Sequence, residues 1–129
     1  IDEDIVNAGL SDNWIFLITK SGQSGYKRTI RAYSKDGLEV SFRSVSDYYP
    51  FEVSHYPEFD ETTFIVNGLE ASGITTTGIF EFLDPEMSQK ASIRGEDELF
   101  AGGIPIAKHN LFLYGEKSIL LIDNSLNTL

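Results

Sequence analysis

The residues best suited to chemistry are two histidines, several carboxylate clusters and one glycine-serine loop. His55 sits in Ser54-His55-Tyr56-Pro57-Glu58-Phe59-Asp60-Glu61, beside three acids, and His109 precedes a later apolar segment. A metal such as zinc needs three or four ligands converging from ordered positions, whereas here one imidazole and a polar loop make up the set. Asp60-Glu61 and Glu96-Asp97-Glu98 are carboxylate runs. Glycoside hydrolysis needs two carboxyls about 5–10 Å apart around a sugar, one with a raised pKa, and adjacent acids in a polar loop point apart and stay solvated. Ser21-Gly22-Gln23-Ser24-Gly25 has neither the frame of a nucleophile elbow nor the Gly-Lys-Ser/Thr ending of a phosphate-cradling loop. With no cysteine, thiol nucleophiles and thiolate metal sites are excluded. The residues therefore define no catalytic set, no metal site and no cofactor loop, and the chain reads as non-catalytic.

Binding chemistry is better represented. Tyr48, Tyr49, Phe51, Tyr56 and Phe59 place five of the sixteen aromatics within twelve residues, interleaved with Pro50 and Pro57. Proline pre-orders a backbone, and tyrosine supplies rigid contact area at low entropy cost. Phe51 and Val53 are expected in the core, with Tyr48, Tyr49 and Tyr56 at least partly exposed. A partner surface is expected on Tyr48, Tyr49, Tyr56, Glu58, Phe59, Asp60, Glu61, Glu96, Asp97 and Glu98.

The elements that must position these residues are strands. Helical periodicity is nearly absent, and the apolar clusters are short, rich in Phe, Ile, Val and Tyr, and bounded by Gly, Asn, Asp, Ser and Pro. Phe16-Leu17-Ile18, Phe64-Ile65-Val66 and Phe112-Leu113-Tyr114 align with their phenylalanines 48 apart, twice. A second strand follows each, over 29–34, 78–83 and 118–122, ending at Asp36-Gly37, Asp84-Pro85 and Asp123-Asn124. Asp36 and Asp84 are again 48 apart, and the third hairpin turns early, at Gly115-Glu116-Lys117. Segments 5–6, 51–53 and 104–107 precede the phenylalanine strands, and 38–42 and 90–93 suit a fourth, more polar strand. Three units of about three or four antiparallel strands result, over 1–46, 47–98 and 99–129.

Units of this kind, with segments such as Ile30-Arg31-Ala32-Tyr33-Ser34-Lys35-Asp36-Gly37 and Ile119-Leu120-Leu121-Ile122-Asp123-Asn124, resemble the blades of a β-propeller. No Trp-Asp dipeptide and no paired-glycine kelch signature stands in the matching place, so the resemblance carries no functional residues with it. It implies an all-β fold of antiparallel meander repeats, propeller-like, with about three blade-like units. A β-sandwich or barrel is the alternative. Propellers close with four to eight blades, so three imply further blades, either from a longer protein or by self-association to complete a sheet or ring.

Charge narrows the partners. The net charge of -10 is uneven: residues 1–45 hold six acids and six bases, while residues 46–129 hold fourteen acids and four bases. Lys20, Lys27, Arg28, Arg31, Lys35 and Arg43 form a local basic stretch, but a chain of pI about 4.5 is a poor nucleic-acid binder. The longest apolar stretch, Trp14 to Ile18, is far short of the ~20 residues of a membrane helix. No run reads as a signal peptide, a first residue of Ile1 implies processing or excision, and the compartment is left open. The expectation is a protein-binding module whose acidic surface meets a basic protein, in one form an inhibitor or immunity-type protein masking that partner. The competing expectation is a fragment of a larger propeller that binds or hydrolyses a ligand through His55, His109 and nearby acids.

Overall fold

A computed structural model describes residues 3–21 and 27–128. The fold is all-β, with no helix among the described residues and three antiparallel sheets of four, four and three strands that form no closed barrel. Sheet I is a meander of β1 (Glu3–Leu10), β2 (Trp14–Ser21), β3 (Arg28–Ser34) and β4 (Glu39–Val45). Sheet II repeats it with β5 (Tyr49–His55), β6 (Phe64–Ser72), β7 (Thr75–Leu83) and β8 (Gln89–Glu96). Sheet III has β9 (Phe100–Ile106), β10 (Asn110–Gly115) and β11 (Ile119–Asp123). The Ser21–Gly25 loop noted above lies, apart from Ser21, outside the described residues.

Hydrophobic layers lie between the sheets, because alternate residues of a strand point to opposite faces. Phe16, Ile18, Ile30 and Ala32 of sheet I pack against Phe64, Val66, Ile79 and Leu83 of sheet II. Ile65, Phe80 and Phe82, on the other face of sheet II, pack against Leu111, Leu113 and Ile122 of sheet III. Phe16 and Phe64 stack with ring centroids 4.1 Å apart, and Phe80 and Phe100 at 4.6 Å. The sequence order of sheets is thus their stacking order. Each sheet has a forward face toward its successor and a backward face toward its predecessor.

The three units share one turn. Gly37, Met87 and Leu126 each donate a backbone N–H to the residue three before, Ser34, Asp84 and Asp123, all at 2.9 Å. Those same three first residues donate their own N–H groups to Leu38, Ser88 and Asn127. The fourth position needs a left-handed backbone, with φ of 83° at Gly37, 69° at Met87 and 66° at Leu126. Glu39, Gln89 and Thr128 then pair with Tyr33, Leu83 and Ile122. Sheet III thereby begins a fourth strand in the same way as its neighbours.

This turn corrects the alignment drawn from the spacing of 48. The equivalent of Asp84 is Ser34, not Asp36, and register counted from the turns makes Phe16, Ile65 and Phe112 equivalent. Phe64 is one residue out of step. A one-residue slip moves a side chain to the opposite face, and Phe64 indeed faces backward onto sheet I while Phe16 faces forward. The basic stretch is also dispersed. Arg28 is buried beneath Tyr49, Arg31 is held by Glu3 at 2.6 Å and Glu39 at 2.9 Å, and Arg43 is paired with Glu81.

Candidate functional site

Antiparallel meanders send alternate loops to opposite ends of the stack. The first end collects loops 11–13, 35–38, 56–63, 84–88, 107–109 and 124–127. Its loops interlock across sheets: Asn13 donates to Glu61 at 2.9 Å, and His109 Nδ1 donates to the Glu58 carbonyl at 2.9 Å. Among the described residues, the second end collects Lys27 and loops 46–48, 73–74, 97–99 and 116–118. Here Leu99 N donates to Glu116 at 2.7 Å, and Ser118 Oγ to Glu98 at 2.6 Å.

That division splits the expected partner surface. Tyr56, Glu58, Phe59, Asp60 and Glu61 are at the first end, while Tyr48, Tyr49, Glu96, Asp97 and Glu98 are at the second. A strand of eight residues such as β8 separates them by about 26 Å. That is roughly three Debye lengths at physiological salt, so the two groups act as independent patches.

Burial then sorts the individual residues. Tyr48, expected at the surface, is 8% exposed. It donates its hydroxyl to the buried Glu81 at 2.6 Å, and burial, reinforced by that carboxylate, drives its pKa up. Phe59 is core, packed between sheets II and III. Glu98 is also buried, accepting from Ser118 Oγ and, at 3.1 Å, from Lys117 N; these bonds hold its pKa below the ordinary carboxylate value. Tyr56 is half-buried and donates to the Gly103 carbonyl at 2.9 Å, tying sheet II to sheet III. Phe51 is half-buried rather than core, Val53 is buried, and Tyr49 is exposed with Arg28 over its ring at 3.7 Å. Glu58, Glu61, Glu96 and Asp97 are exposed.

Asp60 shapes its own loop. It accepts from Thr62 N and Thr62 Oγ1, both at 3.0 Å, and from Thr63 Oγ1 at 2.9 Å, with Lys90 3.7 Å away. Partial burial works against its charged form, but these donors outweigh burial and hold its pKa below the ordinary value. The adjacent Glu61 turns away toward Asn13, so the pair does not converge on a substrate.

Both histidines pin the same loop. His55 is buried, with Nε2 2.9 Å from the Glu61 carbonyl and Nδ1 2.7 Å from Ser11 Oγ. A carbonyl only accepts, so Nε2 donates a proton to Glu61, while Nδ1 and the Ser11 hydroxyl share a second hydrogen bond. His109 holds the Glu58 carbonyl from sheet III. Among the described residues neither histidine pairs with a carboxylate, and no three His, Asp or Glu side chains form a group able to hold a metal ion.

The gathering of charge at the first end escaped linear reading. Its loops carry Asp12, Asp36, Glu58, Asp60, Glu61, Asp84 and Glu86 against Lys35 and Lys108. The described residues of the second-end loops carry Asp47, Asp97, Glu98 and Glu116 against Lys27 and Lys117, and Glu98 is buried. Asp12, Asp36, Glu58 and Glu86 of the first end are exposed. Counting acids in every second loop would have found this end, because strand alternation alone decides which loops meet.

A groove of about 230 Å³ lies between sheets II and III, lined by Phe80, Ile93, Phe100, Leu113 and Leu120. At the junction of sheets I and II, Arg43, Val45 and Tyr48 occupy the corresponding positions; here Ile93, Gly95 and Glu98 replace them. The groove is the room left by smaller residues, below the usual size of a small-molecule pocket.

No family model and no curated protein matches this chain.

Proposed function

We propose that this chain is a non-catalytic protein-binding module that engages a basic partner through the acidic first end of its sheet stack. The observation that carries this reading is the seven acids against two lysines in the loops of that end. Several carboxylates fixed on interlocked loops produce a directed negative field, which raises the association rate of a cationic partner. An inhibitor or immunity-type role, masking a basic protein surface, is its specific form. The repeated turns, and outer faces that the described residues leave uncovered, favour a second, compatible reading in which the three sheets are blades of a propeller-like array.

The test compares two triple variants of equal charge change: Glu58→Gln, Glu61→Gln and Glu86→Gln at the first end, and Asp47→Asn, Glu96→Gln and Asp97→Asn at the second. Association with a lysine-rich peptide is followed by stopped flow across ionic strengths. The first-end variant should associate several-fold more slowly at low salt and show a weaker salt dependence. The second-end variant should stay close to the parent. Equal loss in both variants would reduce the effect to net charge and remove the assignment.

A further inference from the structure

Two faces of the stack are left uncovered by the described residues, and they are complementary in kind. The forward face of sheet III presents Ile104, Phe112, Tyr114, Ile119 and Leu121, placed together by the pairings Phe112–Ile104, Phe112–Leu121 and Tyr114–Ile119. Ile104 is 50% exposed and Ile119 73%. The backward face of sheet I presents Leu10, Ile15, Leu17, Tyr33 and Phe42, with Leu10 69% and Phe42 58% exposed.

Equivalent positions inside the molecule show what such faces do. Phe112 matches Phe16 and Ile65, whose forward faces are covered by the next sheet. Ile15 matches Phe64 and Leu111, whose backward faces are covered by the preceding one. The forward face of sheet III is thus a third example of a surface buried twice already, and the backward face of sheet I is its counterpart. Charge within the two patches does not oppose their meeting, although each copy is acidic as a whole: the forward patch is uncharged, and Arg31, the cation among the described residues of the backward face, is held between Glu3 and Glu39.

We infer that the occupant of each face is a second copy of this chain. Sheet III of one copy packs its forward face on the backward face of sheet I of the other, and the reverse contact forms at the same time. Such a head-to-tail contact closes if the rotation allows it. Two copies bring six sheets, within the four to eight at which radially stacked sheets close. This inference stands apart from the acidic-end reading, since neither face includes the first-end loops.

Light scattering after size-exclusion chromatography, over a wide concentration range, tests it. The full chain should approach twice its 14.4 kDa mass and stop there. Leu10→Asp and Ile119→Asp alter well-exposed side chains on opposite faces; circular dichroism verifies that each variant is folded. Each alone should abolish the dimer, because each places one defect in both contacts. An equimolar mixture of the two should recover association, since one of the two contacts is then free of substitutions. A parent that is monomeric throughout would overturn the inference. So would a mass that keeps growing past the dimer, a dimer that Leu10→Asp leaves intact, or a mixture that stays monomeric.

Discussion

Replacing Arg43 by isoleucine and Glu81 by leucine would convert the junction of sheets I and II into the chemistry already present between sheets II and III. Counted from the shared turn, Arg43 corresponds to Ile93 and Glu81 to Leu120. Glu81 is 5% exposed, accepts from Tyr48 and is paired with Arg43, whose side chain is 30% exposed. Breaking a fully buried pair costs about 3–5 kcal/mol. The partial exposure of Arg43 lowers the expectation for Arg43→Ile to about 2–3 kcal/mol. Glu81→Leu strands the Tyr48 hydroxyl, at about 1–2 kcal/mol, while Arg43 can turn to water. The double variant should lose only about 1 kcal/mol, and adding Tyr48→Phe should bring stability to the parent's level or above, as apolar replacements of buried ion pairs do. Urea unfolding reads all four variants, and with m of about 1.5 kcal/mol/M the Arg43→Ile midpoint should fall by roughly 1.3–2 M. The coupling between positions 43 and 81 should be about 3 kcal/mol. Simple additivity of the single losses would refute both the pairing and the equivalence of the two junctions.

Other consequences concern close approach and pH. A Cβ at Gly9 would lie 2.7 Å from the Val53 carbonyl oxygen, so Gly9→Ala should force β1 from β5 and cost about 1–3 kcal/mol in chemical denaturation. Glu3 and Asp60 both have lowered pKa values, Glu3 chiefly through the Arg31 hydrogen bond and Asp60 through its threonine donors. Their stabilisation is present above the unfolded carboxylate value near pH 4 and is lost as pH falls through the lower folded values. Asp60→Asn should therefore cost about 1 kcal/mol at neutral pH and flatten the loss of stability below about pH 4. An unchanged acid slope would show that Asp60 is not held by its turn.

The strands were legible because their cues are local. Short β-branched and aromatic runs ending at Asp-Gly, Asp-Pro and Asp-Asn mark all three hairpins, and the early turn at 115–117 matches the short β10–β11 connection. Register was harder, since three phenylalanines at equal spacing concealed a slip that only the turn hydrogen bonds reveal. Tyr48 and Glu98 read as surface residues because their partners, Glu81 and Ser118, lie 33 and 20 positions away. Phe59 has the same character, its burial depending on sheet III. The acidic surface was legible as a total charge but not as a place. Asp60-Glu61 and Glu96-Asp97-Glu98 look alike in sequence, yet one intervening β-hairpin and β8 put them at opposite ends.

The most direct measurement is a residue-resolved map of where a cationic ligand sits. Amide chemical-shift changes in the folded chain, titrated with a lysine-rich peptide at low salt, would supply it. Shifts concentrated at Asp12, Asp36, residues 58–61 and Glu86 are the result expected if the first end is the binding surface. Shifts centred on Asp47, residues 96–99 and Glu116, or spread evenly over both ends, would contradict it.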